Sequence, residues 1–141
     1  MDVKTAYLNT PIDCKIYIEQ PEGFEKQGDH SESLVCKLKK SLYGLKQSGR
    51  NWNNLLHTYL INENFTQSLA DPCVYVRTTE DERCVIVIVW VDDIIIPASD
   101  SNSLQSMKKS LKDRFKMTDL GVLKWFLGTE FQCSESSIEM N

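Results

Sequence analysis

Two adjacent carboxylates, Asp92 and Asp93, interrupt the most apolar stretch of the chain, which runs from Cys84 to Trp90 and resumes as Ile94-Ile95-Ile96 before stopping at Pro97. A run that is apolar on both faces belongs in the centre of a sheet. Burying even one ionised carboxylate without a partner costs several kcal/mol, so the pair must lie at an exposed turn or meet a cation. Turn and cation are compatible. As a bare hairpin tip Asp-Asp is a poor choice, because the favoured two-residue turns want positive φ and use Asn-Gly or Asp-Gly. Successive residues of an extended chain point to opposite sides, so the two carboxylates serve one site equally only if the turn twists them together. Asp92 is expected to be the main ligand of any metal there. A pair of Mg²⁺ ions about 3.5–4 Å apart needs bridging oxygens from at least two positions, so a third aspartate must come from elsewhere. On these residues alone, an acidic tip on an apolar hairpin is an equally good reading.

Around this run the periodicity is that of a small mixed domain. Lys15 to Gln20 alternates and is β-branched before Pro21-Glu22-Gly23, which predicts a short strand and a turn, and residues 25–33 read as a loop. Leu34 to Lys39 reads as a second strand, and Gly44 with Gly49 brackets a turn. Trp52, Leu55, Leu56, Tyr59 and Leu60 then place one apolar stripe on a helix from about Ser48 to Asn62. Cys73 to Val76 and Cys84 to Trp90 are strands around the charged turn Thr79 to Glu82. A second helix, capped by Asp100 or Ser101, carries Leu104, Met107, Leu111 and Phe115 on one face. Lys124 to Phe131 reads as one strand, hairpinned onto Ser137 to Met140. This order predicts an α+β domain, an antiparallel sheet with helices packed on one face.

With 141 residues, 41% of them apolar, the chain is large enough for one buried core. Its five cysteines, Cys14, Cys36, Cys73, Cys84 and Cys133, include no C-x-x-C pair, which supports neither a disulfide framework nor a zinc site. The start Met1-Asp2-Val3-Lys4 has no basic-then-apolar leader, and the longest apolar run falls far short of the ~20 residues of a membrane span. These features point to an intracellular, cytoplasmic chain, neither secreted nor inserted in a membrane. The net charge of −4 is the wrong sign for binding nucleic acid, but its distribution is uneven. From Ser33 to Asn62 there is no Asp or Glu, and Lys37, Lys39, Lys40, Lys46 and Arg50 all fall there. A solvated lysine-rich face is the bland alternative.

Four segments carry a resemblance. Met1-Asp2-Val3-Lys4-Thr5-Ala6-Tyr7-Leu8-Asn9 looks like the first polymerase motif of copia-type reverse transcriptases, and Lys40-Ser41-Leu42-Tyr43-Gly44-Leu45-Lys46-Gln47 looks like the second. Trp90-Val91-Asp92-Asp93 is similar to the Y-x-D-D box, and Phe126-Leu127-Gly128 to the primer-gripping strand. They stand in the family's order over nearly the whole chain. The resemblance implies a polymerase palm that transfers a dNTP onto a primer 3′-hydroxyl against an RNA or DNA template. Asp2 and Asp92, assisted by Asp93, would hold two Mg²⁺ or Mn²⁺ ions. Tyr7 would lie beneath the deoxyribose and exclude a 2′-hydroxyl, although a core tyrosine fits the position too. Val3, Gly44, Lys46, Gln47 and Arg50 would join Tyr7 around the nucleotide or template phosphates, Gly44 by close backbone approach. Phe126, Leu127 and Gly128 would hold the primer end, or make an ordinary buried strand. Lys116 or Lys124 is a candidate general acid toward pyrophosphate, and His30 and His57 are assigned no role.

The match departs from the pattern in places. Trp90 stands where the family has Tyr, and Gly49 stands where a proline fixes the chain before the helix, which predicts a looser turn. The resemblance also implies a palm with part of the fingers, truncated at both ends. Upstream fingers, thumb and RNase H would be supplied by the remainder of a polyprotein, and the isolated chain is expected to polymerise poorly or not at all. A free α-amino group beside Asp2 would be flexible and would oppose metal binding. Two other readings stay open: a non-catalytic retrotransposon remnant that binds nucleic acid through residues 37–50, and a small α+β interaction domain.

Overall fold

The computed structural model describes residues 1–28, 34–133 and 138–140. Along the chain these form β1 (Asp2–Val3), a 3-10 turn (Ala6–Asn9), β2 (Tyr17–Ile18), β3 (Cys36–Lys37), α1 (Ser48–Asn62), β4 (Thr66–Gln67) and β5 (Val74–Thr78). There follow β6 (Cys84–Trp90), β7 (Asp93–Ile95), α2 (Ser101–Arg114), β8 (Met117–Thr118), β9 (Trp125–Phe126), β10 (Thr129–Cys133) and β11 (Ile138–Met140). The expected α+β class is what is seen. By compactness the chain divides into Thr5–Thr58 and a larger unit of Met1–Lys4 with Tyr59–Asn141.

The larger unit holds a six-stranded sheet in the order β4-β5-β6-β7-β1-β8, every neighbour antiparallel. As its sequence predicts, β6 is an interior strand. Val85, Val87 and Val89 are buried, whereas Cys84, Ile86 and Ile88 on the other face are only half-buried. The core collects that valine face with Val3, Leu60, Phe65, Tyr75, Ile94, Met107, Leu111 and Phe115. Burial at this density stabilises by roughly 1.5–3 kcal/mol per large apolar side chain. Asp100 caps α2, its carboxylate accepting from Ser103 N at 2.9 Å. Tyr59, on the last turns of α1, meets α2 through Ser110 Oγ at 2.7 Å and stacks edge-on against Phe115.

Two expectations need correction here. Lys124 to Phe131 is not one strand: β9 and β10 pair through Thr129↔Phe126 around a two-residue turn at Leu127 and Gly128, whose φ values are 51° and 83°. An alternating pattern cannot show this, because a leucine in the left-handed region leaves no mark on periodicity. The pairing of β10 with β11 was expected and is present at Phe131↔Met140, while Ser137 and His30 lie outside the described residues. Gly49, expected in a turn before the helix, is the second residue of α1 and has no positive φ.

In the smaller unit β2 pairs with β3, and Trp52 and Leu56 of α1 are buried with Ala6. Its buried hydroxyls are satisfied: Thr10 donates to Tyr7 O and Ser48 to Leu42 O. Extended backbone at 10–12 lies beside 39–41 through Ser41 N to Thr10 O and Ile12 N to Lys39 O. Cys14, Cys36, Cys73 and Cys84 are free thiols. Among the described residues no helix is long and apolar enough to cross a membrane.

Candidate active site

The carboxylates meet because β1, only two residues long, adds to the free edge of β7. Val3 N donates to Asp92 O, Ile94 N to Met1 O, and the Met1 amino group to Ile94 O, at 2.8, 2.8 and 2.7 Å. Lys4 N closes the other edge on Lys116 O. The amino group expected to be flexible is thus held in the ladder, and burial lowers its pKa despite the nearby charges of Asp119 and Asp93. Because Met1 and Ile94 exchange both bonds, Asp2 and Asp93, the next partners along, form a non-hydrogen-bonded pair. In such pairs the side chains share a face and come closest, with Cβ atoms about 4.5–5.5 Å apart.

The row extends across the sheet as Trp90↔Asp93↔Asp2↔Thr118. Directly opposed like charges repel. Burial, followed by the charges of Asp92 and Asp2, raises the Asp93 carboxyl above the usual carboxylate range. Asp92 occupies the turn with Val91, whose φ is 55°. The turn is therefore Val91-Asp92 and not Asp92-Asp93, and it is Asp93 that the ladder sets opposite Asp2. Among the described residues no three His, Cys, Asp or Glu side chains stand close enough to hold a metal. Two facing carboxylates nonetheless suit Mg²⁺, which is bound through one or two carboxylates and completes its octahedron with waters and substrate phosphates.

The same unit has an open groove of about 620 Å³ whose walls include Asp93, Ile95, Lys108, Lys124 and Phe126. It joins one member of the expected primer-gripping segment to the carboxylate strand, while Leu127 and Gly128 form the exposed turn beyond. Of the two candidate general acids, Lys124 lines this groove and Lys116 is an exposed neighbour of β8. Val3 is 1% exposed with its N–H spent on Asp92 O, so neither its side chain nor its amide faces a nucleotide. Thr118, brought in by β8, is the member of the row that sequence reasoning missed. A two-residue strand carries no periodic signal.

The remaining candidates sit in the smaller unit. Thr5 turns the chain with φ 53°, and Tyr7 follows on the 3-10 turn, half-buried, its ring centroid 4.4 Å from that of Tyr43. Gly44, with φ 91°, has open space where a Cβ would be, as close backbone approach requires. Lys46 and Arg50 are exposed, together with Lys37, Lys39 and Lys40, whereas the Gln47 amide donates to Cys14 Sγ at 3.3 Å. His57 is half-buried on α1.

Comparison with known proteins covers the whole chain. The family model "Reverse transcriptase (RNA-dependent DNA polymerase)" matches residues 1–141. The chain is 39% identical over 91% of its length to the Retrovirus-related Pol polyprotein from transposon TNT 1-94 of Nicotiana tabacum, covering 10% of that protein. It is 36% identical over 92% of its length to the corresponding polyprotein from transposon RE1 of Arabidopsis thaliana, covering 9%. A putative transposon Ty5-1 protein of Saccharomyces cerevisiae is 32% identical over 96% of the chain, of which the chain covers 43%. The chain thus spans about a tenth of the plant relatives. No solved structure matches. With a family match from end to end and Pol polyproteins of copia-type transposons as relatives, this chain belongs to the reverse transcriptase family.

Proposed function

We propose that this chain is a palm segment of an RNA-directed DNA polymerase, with the facing Asp2 and Asp93 as the carboxylates that hold divalent ions together with substrate phosphates, and Asp92 beside them in the turn. The observation that carries the reading is the Asp2↔Asp93 pair, two like charges face to face where nothing in the fold requires them. Proteins do not gain stability from such a pair, so a cationic ligand is its physical reason. When bound, Mg²⁺ there supplies a lowered pKa for the primer 3′-hydroxyl and neutralisation of the triphosphate and departing pyrophosphate. The residues of the chain do the positioning. Asp2 and Asp93 fix the reacting end on one face of the sheet, and Phe126 holds the primer strand along the groove it shares with Asp93. Tyr7 bounds the sugar, Gly44 admits the incoming base pair, and Lys46, Gln47 and Arg50 meet phosphates.

Template, primer, dNTP and the remainder of a Pol polyprotein are the partners of this reading, and polymerisation by the chain alone is expected to be weak or nil. A titration of Mn²⁺ into the labelled chain tests it by selective broadening of the Asp2 and Asp93 amide signals, removed by D93N. Broadening spread evenly over exposed acidic residues would end the assignment. A second reading, a remnant that binds nucleic acid without catalysis, is favoured by the exposure of Lys37, Lys39, Lys40, Lys46 and Arg50 in an acid-free stretch. It predicts salt-dependent RNA binding with no selective Mn²⁺ effect.

A further inference from the structure

The ring of Tyr43 has no role in the reading above, yet its setting is unusual for a tyrosine. It is 54% exposed, although a ring of this size stabilises most when covered. Its orientation is nonetheless fixed. It packs on the half-buried Tyr7 ring with centroids 4.4 Å apart and planes inclined by 44°. The next residue is Gly44 at φ 91°, so the backbone turns sharply away just past the ring and leaves open space there. Tyr7 is itself anchored: Thr10 Oγ1 and Thr10 N both donate to Tyr7 O, and Ser41 N ties Thr10 to the Tyr43 segment. Around the ring in sequence stand Lys39, Lys40, Lys46 and Arg50, all exposed, in a stretch without a single Asp or Glu from 33 to 62.

A fixed, exposed aromatic face carried on a segment of exposed cations is what an unpaired nucleobase recognises, through stacking on the ring and phosphate contacts beside it. We infer that Tyr43 is a stacking platform for a nucleobase, held in place from below by Tyr7. The inference rests on the polymerase reading for the identity of its ligand, but it concerns binding alone and needs neither metal nor catalysis. The stacked base could belong to a single strand or to a free nucleotide, and the chemistry is the same.

The test is fluorescence anisotropy of a short labelled single-stranded RNA with the whole chain at several salt concentrations, and separately the affinity for dTTP. Y43A is expected to weaken whichever ligand stacks by about 5- to 150-fold, the range of alanine substitutions at stacked bases. Y43F should stay within about twofold of the parent, and the slope of log affinity against log salt should not change, because no phosphate contact is lost. K46A should do the reverse, lowering the slope by about one phosphate's worth. If only RNA binding falls, the base belongs to a strand; if only dTTP binding falls, it is that of the incoming nucleotide. Y43L keeps an apolar partner for Tyr7 without an aromatic face, and stands in should Y43A misfold. Parent-like binding of both ligands by Y43L or Y43A, or no binding by the parent chain, overturns the proposal. Mn²⁺ broadening at Asp2 and Asp93 in the same samples shows separately whether the polymerase reading survives.

Discussion

The larger unit contains two hairpins closed by two-residue turns, and they are built on opposite terms. The β6–β7 hairpin turns at Val91-Asp92, where only the first central residue has positive φ and that residue is β-branched. The β9–β10 hairpin turns at Leu127-Gly128, where both central residues are positive and the second is a glycine. The first is anchored by buried Val89 and Ile94, whereas the second presents Trp125 and Leu127 to solvent, 65% and 54% exposed. The anchored hairpin tolerates a β-branched residue at positive φ and a repelling carboxylate pair; the exposed one places an unbranched leucine and then a glycine at its positive-φ positions. A β-branched residue held in the left-handed region beside two opposed carboxylates is the pattern expected when a core over-determines a site.

The largest effect that could break this contrast is in the anchoring. I94A should cost about 2–5 kcal/mol in urea unfolding, because Ile94 is 1% exposed behind Asp93. L127A should stay within about 0.5 kcal/mol of the parent. Equal costs would mean that the two hairpins are anchored alike.

A sharper test exchanges the turn chemistry. G128V should destabilise by about 1–2 kcal/mol purely through the backbone, since no atom lies within 4 Å of the added Cβ. V91G should go the other way, by up to about 1 kcal/mol, the relief of the left-handed valine being partly offset by glycine's freedom in the unfolded chain. Loss of stability in V91G would show that Val91 is not strained.

The smallest effect concerns charge. D93N should stabilise the metal-free chain at neutral pH by less than about 1 kcal/mol, by removing one of two opposed carboxylates. The folded-state pKa of Asp93 is raised, so its ionisation works against the fold. That penalty is complete above the folded pKa and vanishes below the unfolded one. The advantage of D93N should therefore disappear on acidification, as followed by urea midpoints across pH.

The two hairpins also show how far the sequence could be read. The interior position of β6, the stripe on α1 and the Asp100 cap were legible, because each follows from a pattern several residues long or from a side chain made for its role. The turn positions were not. Val91 and Leu127 adopt a conformation their side chains disfavour, imposed by pairing on either side, so local propensity pointed elsewhere. β1 and β8 were invisible for a related reason: two residues form a strand only because a neighbour offers an edge, β7 to β1 and β1 to β8. At the site, the motif residues named Asp2, Asp92 and Asp93 together, but only the register showed that Asp93 is the one facing Asp2.

That facing pair is best tested by a double-mutant cycle on Asp2 and Asp93, read as unfolding free energy with and without Mg²⁺. Without Mg²⁺ each single Asn substitution should stabilise and the second should add little, because the first has already removed the repulsion. With millimolar Mg²⁺ the parent should gain stability and every variant should lose that gain. A parent whose stability does not respond to Mg²⁺, or substitutions that add independently in both conditions, would contradict the account.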